Sequence, residues 1–543
     1  MMSALHLAAF NGHEHEVHSI LGVDKSDVNR PDDTTTYPVM WASLNGHDRI
    51  VQLLLERGAD VISQGGEYGN ALQAACYGGH DKIAQKLLDQ GADVTAQGGK
   101  YGNALQAACY SGHDKIAQML LEQGADVNSQ GGEYGNALQT ACYGGHDKIA
   151  QILLDRGADV NAQGGKYGNT LQAACHRGHD KIAQKLLDQG ADVTAGGGDY
   201  GNTLQAACYR GHDKIAQMLL DRGADVNAQG GFYGNALQAA CSNGKDKIAQ
   251  MLLEEGADVN AQGGKYGNTV QAACYRGHDK IAQILLDRGA DVNAQGGAYG
   301  NALRAACYGG RDKIAQILLE QGADVNARGG DYGNALLGVC YGGHGKIARM
   351  LLEQGADINA QDGKNGDALQ AACYGGHHKI AQMLLEQGAD VNAQGGDYGN
   401  ALQAACFNGK HKISRMLLKE GADVNAQGGF YRNALQAACS EEKDNLGTNG
   451  NVEVVRLLLD NAAYISVADN NRRTPLHSAS SNGHLEVVRL LLHNRADPKV
   501  ADKRACTPLH GASENGHVEA VRLLFQSSEA SIDARDDTGR TPI

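Results

Sequence analysis

Apolar residues return along this chain in short bursts at helical spacing. Between Gly65 and Gln97, Leu72, Ala75 and Cys76 form one burst, and Ile83, Ala84, Leu87 and Leu88 form the next. Each burst fits one face of a short helix. Asn70 stands where an N-cap is needed, its side chain able to accept from the open amides of the first turn. Gly78-Gly79 stop the first helix. Asp81 opens the second at its positive end, and Gly91 ends it. Asp93 to Tyr101 is extended and turn-rich, with Gly98-Gly99 as hairpin chemistry. Neither helix reaches the ~12–15 residues that hold a helix together alone in water. Each module must therefore stack on a neighbour to cover its apolar faces.

The module recurs. Gly-Ala-Asp places its Asp at Asp60 and then at every thirty-third residue to Asp423, and twelve of the 13 cysteines keep that step from Cys76 to Cys439. The exception is Cys506. Sixteen helix pairs are predicted, from Leu5 to about Gln526. Residues 1–59 form a divergent N-terminal stretch, 60–433 a near-identical array, and 434–543 a divergent C-terminal stretch with an inter-helix insertion near 441–449. The first copy starts inside its own helix, and the last stops at Thr541-Pro542-Ile543. Both ends are expected to be cut from a longer array.

The two-helix module ending in Gly-Ala-Asp-Val-Asn resembles the ankyrin repeat. The flanks carry that family's tetrad at Thr474-Pro475-Leu476-His477 and Thr507-Pro508-Leu509-His510, with Thr541-Pro542 at the end. In the array the tetrad is replaced by Asn-Ala-Leu-Gln, as at Asn70 to Gln73. The resemblance implies an all-α repeat fold, an ankyrin solenoid. Its helix-turn-helix units of 33 residues are joined by β-hairpin loops into a curved superhelix. It also implies that the family's Thr–His bonding between repeats is altered here. The phrase Gly-Gly-x-Tyr-Gly-Asn-Ala-Leu-Gln-Ala-Ala is similar to arrays C-terminal to NACHT-type NTPase domains of fungi.

Composition agrees with thin repeated layers, since there are 74 Gly but only 6 Pro, 5 Phe and 1 Trp. A net charge of −14 argues against a nucleic-acid partner. No apolar run is long enough for a membrane helix, so no membrane insertion is expected. The N-terminus lacks a signal-peptide pattern, and no Asn-x-Ser/Thr acceptor occurs. A cytoplasmic monomer is expected, with the nucleus as the other compartment.

Catalysis needs a unique convergent constellation, and a dozen near-copies of one module offer none. The Gly-rich segments lack the Lys-Ser/Thr of a phosphate loop. The regularly spaced cysteines lack any Cys-x-x-Cys pair and sit one per layer, too far apart for disulfides or zinc. They are read as small buried hydrophobes. The Gly-His histidines, His80, His113, His146 and their copies, are expected to bond locally at the start of the second helix. Lys245, Arg311 and Lys410 replace three of them. His13, His15 and His18 are not read as a metal site. No enzyme activity, cofactor or metal is expected.

Copies differ at two places. The hairpin tip carries Glu67, Lys100, Glu133, Lys166, Asp199, Phe232, Lys265, Ala298, Asp331, Lys364, Asp397 and Phe430. The residue after the first helix's terminal ring carries Arg177, Arg210 and Arg276, with Asn243 and Asn408, among Gly and Ser. The rings are Tyr77, Tyr110, Tyr143, Tyr209, Tyr275, Tyr308, Tyr341, Tyr374 and Phe407, expected ~8–10 Å apart at the spacing of packed helices. The ankyrin resemblance implies that these positions line the concave groove and its fingertips. A second row, Tyr68, Tyr101, Tyr134, Tyr167 and Tyr200, is expected to pack between repeats. Leu72, Ala75, Cys76, Ile83, Leu87, Leu88 and Gly91 barely vary and are read as packing positions. The resulting expectation is a non-enzymatic scaffold that binds partner proteins through groove and tips. The alternatives are the recognition arm of a fungal NACHT-type receptor and a passive spacer.

Overall fold

The computed structural model describes residues 2–23, 26–198, 200–329, 333–361, 366–440, 451–527 and 531–542. Asp199, Asp331, Lys364 and the 441–449 insertion lie outside these residues. Contacts divide the chain into two compact units. One holds residues 1–273 with 287–290, and the other holds 274–286 with 291–543. Among the described residues there are 32 α-helices in sixteen pairs, from Ala4–Asn11 to Val518–Gln526. The expected all-α repeat is thus present. The first helix of the chain, Ala4–Asn11, is as long as Ala71–Gly78, so the first copy has a whole helix rather than the partial one expected. Within each unit, first helices pack chiefly on the first helices of adjacent pairs.

Capping decides where each first helix starts. Asn103 Oδ1 accepts from the Gln106 amide at 2.9 Å, and Gln106 Oε1 accepts from the Asn103 amide at 2.8 Å. This reciprocal box satisfies two open donors of the first turn. The same glutamine reaches the next repeat. Gln73 Nε2 donates to the Gly102 carbonyl at 2.9 Å, 29 residues ahead. In the flank, His477 Nδ1 accepts from the Thr474 amide at 3.0 Å, and its Nε2 donates to the Cys506 carbonyl at 3.1 Å, also 29 residues ahead. The bonding is therefore altered in chemistry but kept in geometry, because a primary amide has the same acceptor–donor pair as a neutral imidazole. The glutamine needs a gap beside it. Gly102 has φ +95°, and a Cβ there would run into Gln106 Oε1, so glycine is favoured at the position, although Arg432 holds it in one repeat at φ +66°.

The histidines act over a longer range than expected. His80 Nε2 donates to the Leu44 carbonyl at 3.0 Å, His113 to Tyr77 at 3.1 Å and His146 to Tyr110 at 2.9 Å, each 36 residues back. Those carbonyls belong to the last turn of the preceding repeat's first helix, which leaves them without helical partners. Where histidine is missing, the bond survives. Arg311 Nε donates to the Tyr275 carbonyl at 3.3 Å. Beside Lys245 and Lys410, the donors are Asn243 to Tyr209 at 2.7 Å and Asn408 to Tyr374 at 2.9 Å. Asn243 and Asn408, read from sequence as groove variation, are substitutes for the missing imidazole. The loop asparagine of Gly-Ala-Asp-Val-Asn ties neighbours as well. Asn128 Oδ1 accepts from the Asp159 amide at 2.8 Å, and its Nδ2 donates to the Gly157 carbonyl at 3.2 Å.

Between repeats the described residues make short antiparallel bridges such as Gly98↔Gly102, and in two places among them two-residue strands, Gly196–Gly197 with Gly201–Asn202 and Gln262–Gly263 with Gly267–Asn268. The core consists of Leu72, Ala75, Cys76, Ile83 and Leu87 and their copies, all buried. Leu88 is only half-buried, and Gly91 is exposed. Gly91 recurs for its backbone, at φ +88° with nothing near a would-be Cβ, and not for packing. The twelve regularly spaced cysteines are buried, and Cys506 is half-buried. Burial pushes the thiols of Cys76, Cys109 and Cys142 well above the usual range. One cap departs from the rule. Asp367 replaces the capping asparagine and accepts from the Gln370 amide at 2.8 Å. It is 2% exposed, and burial raises its carboxyl from 3.8 to about 6.

Three outcomes are expected. His113→Lys removes one bond between repeats and lowers stability by about 1 kcal/mol. Ser111→Asn added to it rebuilds the arrangement of Asn243 and Lys245 and recovers most of the loss. Urea midpoints of the two variants check this. For Asp367 the folded carboxyl holds its proton more tightly than the unfolded one. Its effect is absent below the unfolded value of 3.8 and becomes a full penalty above about 6. Asp367→Asn is then neutral near pH ~4 and stabilising at neutral pH, by at most about 3 kcal/mol, as thermal melts at the two pH values would show. Finally, thiol labelling of the folded chain reaches half-buried Cys506 first, and the remaining cysteines react only as the protein unfolds.

Candidate partner-binding face

The two tyrosine rows, expected to be separate, interleave into one ladder. In the first unit the Tyr77 ring lies 5.1 Å from Tyr68 and 4.8 Å from Tyr101. Tyr110 lies 4.9 Å from Tyr101 and 5.1 Å from Tyr134. Tyr143 lies 5.1 Å from Tyr134 and 4.8 Å from Tyr167. These are the separations that aromatic pairs prefer. Rings of one row step by 6.2 Å, as from Tyr77 to Tyr110 and from Tyr110 to Tyr143. The expected ~8–10 Å of packed helices does not apply, because each pair stacks together through the hairpin ring set between them. Tyr209 continues the ladder at 4.4 Å from Tyr233.

The second unit repeats the pattern. Tyr275 lies 4.5 Å from Tyr299, and Tyr299 lies 5.7 Å from Tyr308. Tyr341 and Tyr374 are 5.7 Å apart. Phe407 lies 5.6 Å from Tyr398 and 4.9 Å from Tyr431. The hairpin row is the deeper one. Tyr101 and Tyr134 are buried, and burial pushes their hydroxyls above the usual phenol range. The helix-end row is half-buried, with Tyr308 at 39% and Tyr341 at 47% the most open.

His176 occupies a tyrosine position of the ladder, 4.8 Å from Tyr167 and 5.0 Å from Tyr200. Sequence reading passed over it, although it stands at the 33-residue step from Tyr143. Burial, then the charges of Arg210 and Arg177, lower it to about 4, so at neutral pH the ring is uncharged and can accept. Arg210 Nε donates to His176 Nε2 at 3.0 Å, and Arg210 Nη2 donates to the Tyr200 hydroxyl at 3.1 Å. The Arg210 guanidinium lies 5.8 Å from both the Tyr200 and Tyr209 rings, and that of Arg177 lies 4.7 Å from Tyr143. These are cation–π distances. Arg276 follows Tyr275 in the second unit and is exposed.

The tips are stitched to one another. The Lys100 amide donates to the Glu67 carbonyl at 2.8 Å, Glu133 to Lys100 at 2.8 Å, and Lys166 to Glu133 at 3.0 Å. Their side chains also pair, Lys100 with Glu67 at 3.6 Å and Lys166 with Glu133 at 3.4 Å. Such exposed pairs contribute well under about 1 kcal/mol, but they leave little unbalanced charge for a partner. Lys265 lies 5.3 Å from the Phe232 ring. Phe232 is 50% exposed and Phe430 74%. The Phe430 amide donates to the Asp397 carbonyl at 2.7 Å.

Among the described residues, no group of His, Cys, Asp or Glu is arranged to hold a metal ion. No helix among them is long and apolar enough to cross a membrane.

A family profile described as ankyrin repeats (3 copies) matches overlapping stretches from residues 2–65 through 427–502. A second, ankyrin repeats (many copies), matches residues 480–525. A comparison with curated proteins finds no match. Ankyrin repeats generally mediate protein–protein interaction and are typically non-enzymatic. With helix pairs of the kind the tetrads implied, and matched stretches running without a gap from residue 2 to residue 525, the chain belongs to the ankyrin-repeat family.

Proposed function

We propose that the chain is a non-enzymatic scaffold that holds partner proteins against the helix-end row of the ladder and the exposed tips. The supporting observation is how the rings are placed. Hairpin tyrosines such as Tyr101, Tyr134, Tyr266 and Tyr299 are buried in packing, while the helix-end rings are more open, most clearly at Tyr308 and Tyr341. A ring held on one face by stacking and open on the other offers contact area with little rotamer freedom left to lose. That is the property of an interface anchor. Phe232 and Phe430 add open apolar surface at the tips. The tip charges contribute less than their variation suggests, because Glu67, Lys100, Glu133 and Lys166 pair among themselves.

The test uses the full chain as bait in the extract of its native cell, beside a Tyr308→Ser, Tyr341→Ser variant. The expected result is a partner retained at stoichiometric level by the wild type and weakened about tenfold or more by the variant, with the helical circular dichroism unchanged. A passive spacer predicts no partner in either arm. Equal capture in both arms would reject the ring assignment.

A further inference from the structure

We infer that the part of this face carrying Arg177 and Arg210 takes an extended acidic segment of a partner protein, with carboxylates at alternate positions. The inference rests on the scaffold reading above and narrows it to a partner chemistry.

Spacing is the first argument. Here the ladder advances by 6.4 Å per repeat, from Tyr134 to Tyr167, from Tyr143 to His176 and from Tyr200 to Tyr233. An extended chain rises ~3.3–3.4 Å per residue, so side chains two apart on one face repeat at about 6.7 Å. One repeat of the array therefore matches two residues of an extended segment. Arg177 and Arg210 hold equivalent places in successive repeats, so they would meet side chains i and i+2 of the same segment.

Charge is the second argument. The chain carries a net −14, yet this stretch places an arginine at the same position of two successive repeats. Among the described residues, neither forms an ion pair. Arg177 is held over Tyr143, and Arg210 over Tyr200 and Tyr209. The Arg177 guanidinium, set over Tyr143, keeps donors along its edge, the geometry that takes a carboxylate in two parallel bonds; Arg210, whose Nε and Nη2 donate to His176 and Tyr200, offers Nη1. Arg210 is further oriented by bonds to His176 and the Tyr200 hydroxyl, so little side-chain freedom remains to be lost on binding.

A strand of nucleic acid would meet the same rings and charges. It would also carry its phosphates beyond them, against the overall charge of −14. A segment whose acidity is confined to alternate positions meets only the reversed stretch.

The experiment measures fluorescence polarisation of a labelled peptide alternating Glu and Thr, titrated with the full chain. Binding is expected, with Arg177→Gln and Arg210→Gln each weakening it about tenfold. Lys148→Gln, on a second helix, is expected to leave it unchanged. A peptide of the same composition with its glutamates adjacent is expected to bind about tenfold more weakly. The inference is overturned if the arginine variants bind like wild type, if the order of glutamates makes no difference, or if an oligothymidylate binds more tightly than the peptide. Capture that still depends on Tyr308 and Tyr341 while the peptide fails would keep the scaffold reading and remove only the acidic class.

Discussion

Every repeat of this chain leaves backbone groups open that only its neighbours can close. The first helix ends in carbonyls without partners, and the loop beyond it has carbonyls of its own. Two side chains answer that need in opposite directions. The glutamine of Asn-Ala-Leu-Gln reaches 29 residues ahead, as Gln73 does to Gly102. The histidine of Gly-His reaches 36 residues back, as His113 does to Tyr77. Since a buried carbonyl left unpaired costs about 1–3 kcal/mol, the pair of bridges allows repeats to stack in one register and penalises a slip. The buried leucines and isoleucines supply most of the driving force, but they are non-directional. The bridges are what make the repeat spacing regular.

The aromatic ladder depends on that regularity. Its rings meet at 4.8–5.1 Å across three consecutive repeats, which is possible only where each helix end and each hairpin recur at a constant offset. The ladder in turn changes what a tyrosine on this surface can do. A ring stacked on two neighbours contributes to stability as well as to contact, so truncating several of them at once disturbs packing along with any interface. The most open rings are Tyr308 and Tyr341.

The module, its helix limits and its core were legible in the sequence because they are local and repeated. Asn70 as a cap, Cys76 and Leu72 as core, and Ile83 and Leu87 as the second stripe all follow from helical period and turn chemistry. What was illegible was contact at a distance set by stacking. Nothing in a Gly-His dipeptide tells whether the imidazole bonds its own turn or a carbonyl 36 residues away. Nor does one copy of the module show that Tyr68 and Tyr77 belong to a common ladder, since their contact is decided by how the hairpin folds back. His176 was missed for a related reason. A search for aromatic hydrocarbon rings skips an imidazole, although burial keeps it uncharged and ring-like. Asn243 and Asn408 misled in the other direction. They looked like free variation, yet each appears two residues before a lysine that has replaced histidine.

Compensation therefore offers a way to sort the differences between copies. A departure that is matched by a second one nearby restores a bond of the scaffold, as Asn243 does for Lys245. A departure matched by its opposite in the next repeat cancels, as Glu67 does against Lys100. What remains after both kinds are set aside is a short set of changes that no neighbour explains. Arg177, Arg210 and Arg276 follow ladder rings where most other repeats have Gly or Ser, and Phe232 and Phe430 present open rings where most other tips have a short or charged side chain. In an array of near-identical repeats, the uniform positions present the same surface at every step and cannot distinguish one place along the array from another. Specificity for a partner, and the register in which it lies, can come only from the uncompensated positions. The two guanidiniums stacked on the ladder are the pair that occupies consecutive repeats.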